Sequence, residues 1–380
     1  MPILSVKEFL DTSKMLGSQE YQLRLDVNLI NSIDALEAIR LLKDKGQKPG
    51  NPNKVYVWQD NIIPPNSPKV SKEQQQLAEF AKDYNVNYLY GAGMSTHLLL
   101  NNYVSSGQAV ASMNRDIFQV GAKGVLGICL GANEFAAALS QGWIKIAKQR
   151  FFTVALQGTL AAGTDMRDAA RNLLNILKNK VDNTTILVFR DCSHKLSLEN
   201  KMILCCWMKK INVLSALFIE NEGFDPEYVF SLASSKSSFA GKDNTDIREL
   251  PEQKVSAVFI GGVCGGFLKD IAMTAEAFET AKVAYGVRLT VAPATADIYT
   301  KAANHGYLTA IIEAGGLVIN QCGTPQVQGK ISPEEILVSN DIYNAPSYAG
   351  TDCGQIYLSS TAQAIKAALT GKVGGDNYAD

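Results

Sequence analysis

Short apolar runs of strand length alternate with amphipathic stretches of helical period along almost the whole chain. The runs at 55–58, 151–156, 185–189, 213–218, 255–260, 287–291 and 317–320 carry the β-branched and aromatic residues that suit a pleated, buried surface. Between them, 32–45, 71–84, 166–178, 197–211 and 268–284 repeat their apolar positions every three to four residues, and 361–369 does so near the C-terminal end. Strand, helix and strand in repetition predict α/β layers with mostly parallel sheets. The polar stretch 234–253 has turn formers and no periodicity, so it reads as a linker, and a softer boundary falls at 158–164.

Composition narrows this picture. A chain of 380 residues with 46% apolar and 19% charged side chains can bury more than one core. A net charge of −1 gives no electrostatic footprint for nucleic acid or an anionic membrane. Seven cysteines without framework spacing suggest reduced thiols and a cytoplasmic setting. The first residues mix charges early and do not read as a secretory signal, and every apolar run falls short of the ~20 residues needed to span a bilayer.

Ligands in parallel α/β sheets bind beyond the carboxyl ends of strands, so the turns that follow the runs are where chemistry is expected. In GGVCGGFLKD (261–270), four glycines surround Cys264 just before a helix. A thiol there is either a nucleophile or metal ligand with a lowered pKa, or a small buried apolar residue in a tight turn. Two further cysteines, Cys322 in NQCGTP and Cys353 in the long loop 339–354, could join Cys264 around a metal or an iron–sulfur cluster, although no CxxC spacing exists. Asn114, Arg115 and Asp116 follow a short apolar run and precede a glycine-rich stretch, a place for binding a carboxylate or for acid–base work. Of three histidines only His97 stands out, and neither a zinc-type histidine pair nor a G-x-S-x-G elbow occurs.

Taken together, HLLLNNYVSSG, GVLGICLGANEFAAALSQ, LSLENKMILCCWMKK, FIGGVCGGFLKDIAMTAEAFETAKVAYGVRLTVAPAT and EEILVSNDIYNAPSYAGTDCG resemble the large subunit of the aconitase and 3-isopropylmalate dehydratase superfamily over nearly the whole chain. The resemblance implies three α/β/α domains with mostly parallel sheets around a central cleft, divided at 1–160, 161–240 and 253–380. It implies dehydration chemistry on a hydroxy acid at an iron–sulfur cluster. It also implies a swivelling domain that is absent here, hence a separate small partner subunit. The family's catalytic identities mostly do not carry over. Val263 and Pro325 stand where the first and third cluster cysteines belong, with Cys322 at the second. Asn114-Arg115-Asp116 replaces Asp-Ser-His, and Gln59-Asp60-Asn61 replaces Asp-His-Asn. Cys206 and Lys210 replace a helical Asn and Glu, and Asp341, after Ser339 and Asn340, replaces a carboxylate-binding Arg. The expectation is a repurposed, cluster-free lyase or isomerase acting on a small carboxylic or amino acid. Its pocket would be relined by His97, Asp116, Lys210, Cys264, Asp341 and Tyr343, with Asn61, Asn114, Arg115, Ser339 and Asn340 touching substrate. The alternatives are a non-catalytic binding homologue, or an altered metal site on Cys264, Cys322 and Cys353.

Overall fold

A computed structural model describes residues 3–4, 21–60, 62–147, 149–219, 225–241, 246–247, 249–320, 331–344 and 354–375. Three parallel-stranded sheets follow one another along the chain. The first contains β1 (Val27–Ile30), β2 (Val55–Gln59), β3 (Asn87–Tyr90), β4 (Ala109–Ser112) and β5 (Leu126–Cys129), ordered β3-β2-β1-β4-β5 and parallel throughout. Its helices are α1 (Leu36–Asp44), α2 (Pro68–Asp83), α3 (Ser95–Asn102) and α4 (Ala132–Gln141), with a 3-10 helix at Arg115–Lys123.

The second sheet has β6 (Arg150–Gln157), β7 (Thr185–Asp191), β8 (Ser215–Phe218) and β9 (Tyr228–Ser231) in the parallel order β8-β7-β6-β9. Helices α5 (Met166–Leu177) and α6 (Leu198–Trp207) connect its strands. The third runs β11-β10-β16-β15-β12-β13-β14. Its members are β10 (Phe239–Ala240), β11 (Asp246–Ile247), β12 (Ala257–Ile260), β13 (Arg288–Val291), β14 (Leu317–Val318), β15 (Ile336–Ser339) and β16 (Gln355–Leu358). Helices α7 (Leu268–Phe278), α8 (Ala296–Asn304), α9 (Tyr307–Glu313) and α10 (Thr361–Thr370) accompany it. Within this sheet only the two pairs made by β10 are antiparallel.

Two expectations change. The chain leaves the first sheet's neighbourhood after Ile146 and joins the second at Arg150, so β6 lies beyond the change of sheet rather than before a boundary near 160. The stretch expected as a linker instead contributes β10 and β11 to the third sheet. Strands of two residues carry no period for a sequence to display.

Strongly amphipathic stretches became helices because sequence supplied both stripe and stop. Asp165 caps α5 by accepting from Arg167 N at 2.7 Å, and Ser360 caps α10 with Gln363 completing the capping box. One core cluster contains side chains from all three sheets, among them Val110, Phe189 and Phe259. The sheets thus pack on shared apolar surface, which holds their strand ends in register with one another.

Candidate functional site

In sheets one and three the strand order reverses between β1 and β4 and between β12 and β15, and such reversals open crevices at carboxyl ends. The turn after β12 starts the site. Gly262 has φ +77°, and an added Cβ there would run into the Asp341 carboxyl, so only glycine lets the turn close over β15. Asn340 Oδ1 accepts from Gly261 N at 2.9 Å, its Nδ2 donates to Thr361 Oγ1 at 3.0 Å, and Ser339 Oγ accepts from Asp341 N at 3.1 Å. Asp341 is thereby held fully buried, with Oδ1 accepting from Cys264 N at 3.1 Å. Its Oδ2 has no hydrogen-bond partner among the described residues. Burial pushes this carboxyl up to about 6, against the opposing pull of backbone donors and Lys209.

The first sheet brings Asp116 and Asp60. Asn114 Oδ1 caps the 3-10 helix by accepting from Asp116 N at 2.9 Å, and the Asp116 carboxylate accepts from both Lys209 Nζ and Tyr343 Oη. Lys209 Nζ also lies 4.2 Å from the Tyr343 ring centroid. Burial disfavours its charge, but Asp116 overcomes this and the ammonium titrates above its ordinary range. Next to it Lys210 behaves oppositely. Burial first, then the Lys209 charge, lower it to about 8, while Nζ donates to Asn344 Oδ1 at 2.7 Å. Both lysines occupy the 3-10 turn Met208–Lys210 that ends α6, so two adjacent residues point one into an ion pair and one toward an amide.

Asp60, just past β2, accepts from Ser95 N at 2.6 Å at the start of α3, and Asn31 and Ser112 continue the network. Burial raises its carboxyl to about 7. Because the folded pKa lies above the ordinary 3.8, the folded chain retains a proton that the unfolded chain releases as pH climbs from about 4 to 7. Stability from this group therefore falls over that window. Asp60→Asn should be more stable than the parent by roughly 2–4 kcal/mol at pH 8, the gap closing toward pH 4. Urea denaturation of both proteins at the two pH values checks this, and a pH-independent gap would contradict it.

Several candidates are engaged in bonds that hold the turns of the site together. His97 is buried, its Nε2 lies 3.0 Å from Val263 O, and its ring stacks on Phe267 at 5.0 Å. Burial pulls it down to about 4, so it is neutral at physiological pH and serves as packing and as a donor. Gln119 Nε2 donates to the same carbonyl at 2.7 Å. Arg115 Nη2 donates to the carbonyls of Ile211 and Val213, both at 3.1 Å, and tethers the chain entering β8. Asn114, Ser339 and Asn340 brace turns through the bonds given above. Of the two readings of Cys264, its surroundings match the small buried residue in a tight turn: burial, reinforced by the facing Cys206, drives its thiol well above its usual range. Asn61, Cys322 and Cys353 lie outside the described residues.

Lys209, Gln119 and Arg167 were not among the sequence candidates, and Asp60 stood there only as a replaced family position. Arg167 is the most connected of them: its guanidinium donates to Cys264 O at 2.6 Å, Asn340 O at 2.9 Å, Asp165 at 2.7 Å and Asp270 at 2.9 Å. In sequence it is one of several cations on an amphipathic helix. Only the Asp at the cap and the Asp two residues before α7's second turn hinted at a partner.

Cys322 and Cys353, two of the three thiols considered for a metal or cluster, lie outside the described residues, and among the described residues no three His, Cys, Asp or Glu side chains converge as a metal-binding group.

No family model matches the chain. It is similar to curated proteins described as 3-isopropylmalate dehydratase large subunits. It is 25% identical to one from Archaeoglobus fulgidus over 88% of this chain and 89% of that one, and 26% identical to one from Pyrococcus furiosus over 84% and 86%. A homoaconitase large subunit from Thermus thermophilus is 24% identical over 85% and 84%. Among solved structures, aconitase X of Thermococcus kodakaraensis, in its holo-form, superimposes with a TM-score of 0.59 at 13% identity, covering 95% of this chain and 94% of that one. No described helix is long and apolar enough to cross a membrane.

Proposed function

Because the chain is a divergent member of the aconitase and 3-isopropylmalate dehydratase large-subunit superfamily, we propose that it is a cluster-free lyase or isomerase that moves protons on a small carboxylic or amino acid. The observation that carries the reading is the pair Asp341 and Lys210. One carboxyl is raised to about 6 and one amine lowered to about 8, so near pH 7 the first is a base and the second an acid.

The division of labour follows from the hydrogen bonds. Asp341 Oδ1 is anchored by Cys264 N, which leaves Oδ2 to take a proton from a substrate carbon or ammonium. Lys210 donates a proton to the departing hydroxyl, which is a poor leaving group unaided. Water elimination then balances: the C–H pair becomes the double bond, Asp341 holds the proton, and hydroxide departs as water with the proton from Lys210. Asp116, saturated by Lys209 and Tyr343, fixes the floor on which Lys210 stands and is not a free base. Replacing the family's arginine, Asp341 favours a substrate with an amine or hydroxyl donor at that end. The relatives are described as large subunits, and a separate small chain closing this cleft belongs to the same proposal.

The test uses protein purified without oxygen, assayed for iron, then incubated with metabolite extracts and followed by mass. Iron-free protein should form product, with kcat/KM against pH rising near 6 and falling near 8. A brown preparation whose turnover tracks its iron content would remove the cluster-free reading.

A further inference from the structure

Away from this site, the carboxyl end of β7 opens into a second cleft of about 160 Å³. Arg190 at the end of the strand, His194 in the turn after it and Lys201 on the first turns of α6 line it, with Phe218 and Ile219 forming its apolar side. None of these residues belongs to the Asp341–Lys210 cluster.

Its charge balance is unusual. Arg190 and Lys201 are both half-buried, and among the described residues neither makes an ion pair or a hydrogen bond through its charged end. Lys201 Nζ sits over the Phe218 ring, 5.2 Å from its centroid, so its ammonium rests against the apolar side of the cleft. Asp191 also borders the cleft, yet its oxygens are committed. Oδ1 accepts from Ser193 N at 3.2 Å and Ser193 Oγ at 3.0 Å, and Oδ2 accepts from Leu196 N at 2.9 Å. Those bonds shape a turn in which His194 adopts φ +53°, a left-handed conformation that is uncommon outside glycine. Two cations against one carboxylate leave the lining net positive, and an anion held between Arg190 and Lys201 would relieve their mutual repulsion. The position, beyond the ends of parallel strands, is where α/β sheets take ligands.

We infer that this cleft binds a tetrahedral oxyanion, the phosphate group of a small phosphorylated molecule or free phosphate, through Arg190, Lys201 and His194. A guanidinium fork and a point-charge ammonium lining one cleft suit an anion with several equivalent oxygens.

The full chain is titrated calorimetrically with inorganic phosphate, phenyl phosphate and acetate, each against sodium chloride of equal ionic strength. Phosphate should bind saturably, and Arg190→Gln and Lys201→Met should each weaken it about tenfold or more. Lys43→Met, on a remote helix, should not. Tighter binding of phenyl phosphate than of phosphate would assign the site to a phosphorylated metabolite, and equal binding to the free ion. Acetate binding as well as phosphate, no heat beyond that of chloride, or unchanged binding in both variants would overturn the assignment. Thermal unfolding of each variant without ligand confirms that it is folded, as expected for half-exposed side chains whose charged ends make no ion pair or hydrogen bond among the described residues.

Discussion

Asp341→Asn and Lys210→Met should each lower turnover by about 10²–10⁴, the range that positioned acids and bases contribute. Asn keeps the shape of the aspartate and can still accept from Cys264 N through one oxygen, but it cannot take a proton. Met keeps the length of lysine and loses its donor to Asn344. If the two groups act in one elimination, the double variant should be scarcely worse than either single one, because removing one partner already disables the step. The pH dependence separates chemistry from folding: Asp341→Asn should lose the limb near 6 and retain the limb near 8. Undiminished rates in both variants would sink the proposed mechanism and favour a binding homologue.

The largest structural effect is expected at Arg167, whose side chain is 3% exposed. Arg167→Met strands the Asp270 carboxylate and leaves the carbonyls of Cys264 and Asn340 without their donor. Breaking a buried pair from one side typically costs about 3–5 kcal/mol, because a charge remains without a counter-charge. Arg167→Lys retains the charge but cannot span four acceptors, so its loss should be intermediate. Denaturant midpoints at constant slope measure both. A loss below about 1 kcal/mol for Met would mean that the second and third sheets are held by apolar packing alone.

The two predictions meet in one piece of architecture. Arg167 ties α5 of the second sheet to the turns after β12 and β15 of the third, and these turns carry Asp341. His97 and Gln119 make the corresponding tie from the first sheet through Val263 O. The turns that carry the site residues are therefore held by buried polar groups reaching in from the first and second sheets. Conformational freedom in the turns would smear the Asp341–Lys210 geometry, and a misplaced acid or base loses most of its effect. The cost of burying so many ionisable groups is consistent with function being the reason they are there.

Alternation of apolar runs and amphipathic stretches was enough to place β2, β7, β12, α5 and α10 nearly to the residue, since strand and helix periods are local properties of the chain. It also marked the glycine turn and the Ser-Asn-Asp segment, because close backbone approach and strand ends leave compositional traces. The edge strands β10 and β11 escaped, as their pairing is long-range and two residues long. Which side chains face the cleft lay wholly beyond local pattern. Lys209 and Lys210 are adjacent and identical in type, and only the packing of α6 against the other sheets makes one an ion-pair anchor and the other a depressed amine. Cys264 and His97 were legible as unusual residues, but their protonation depends on burial, which is set by atoms contributed from distant parts of the chain.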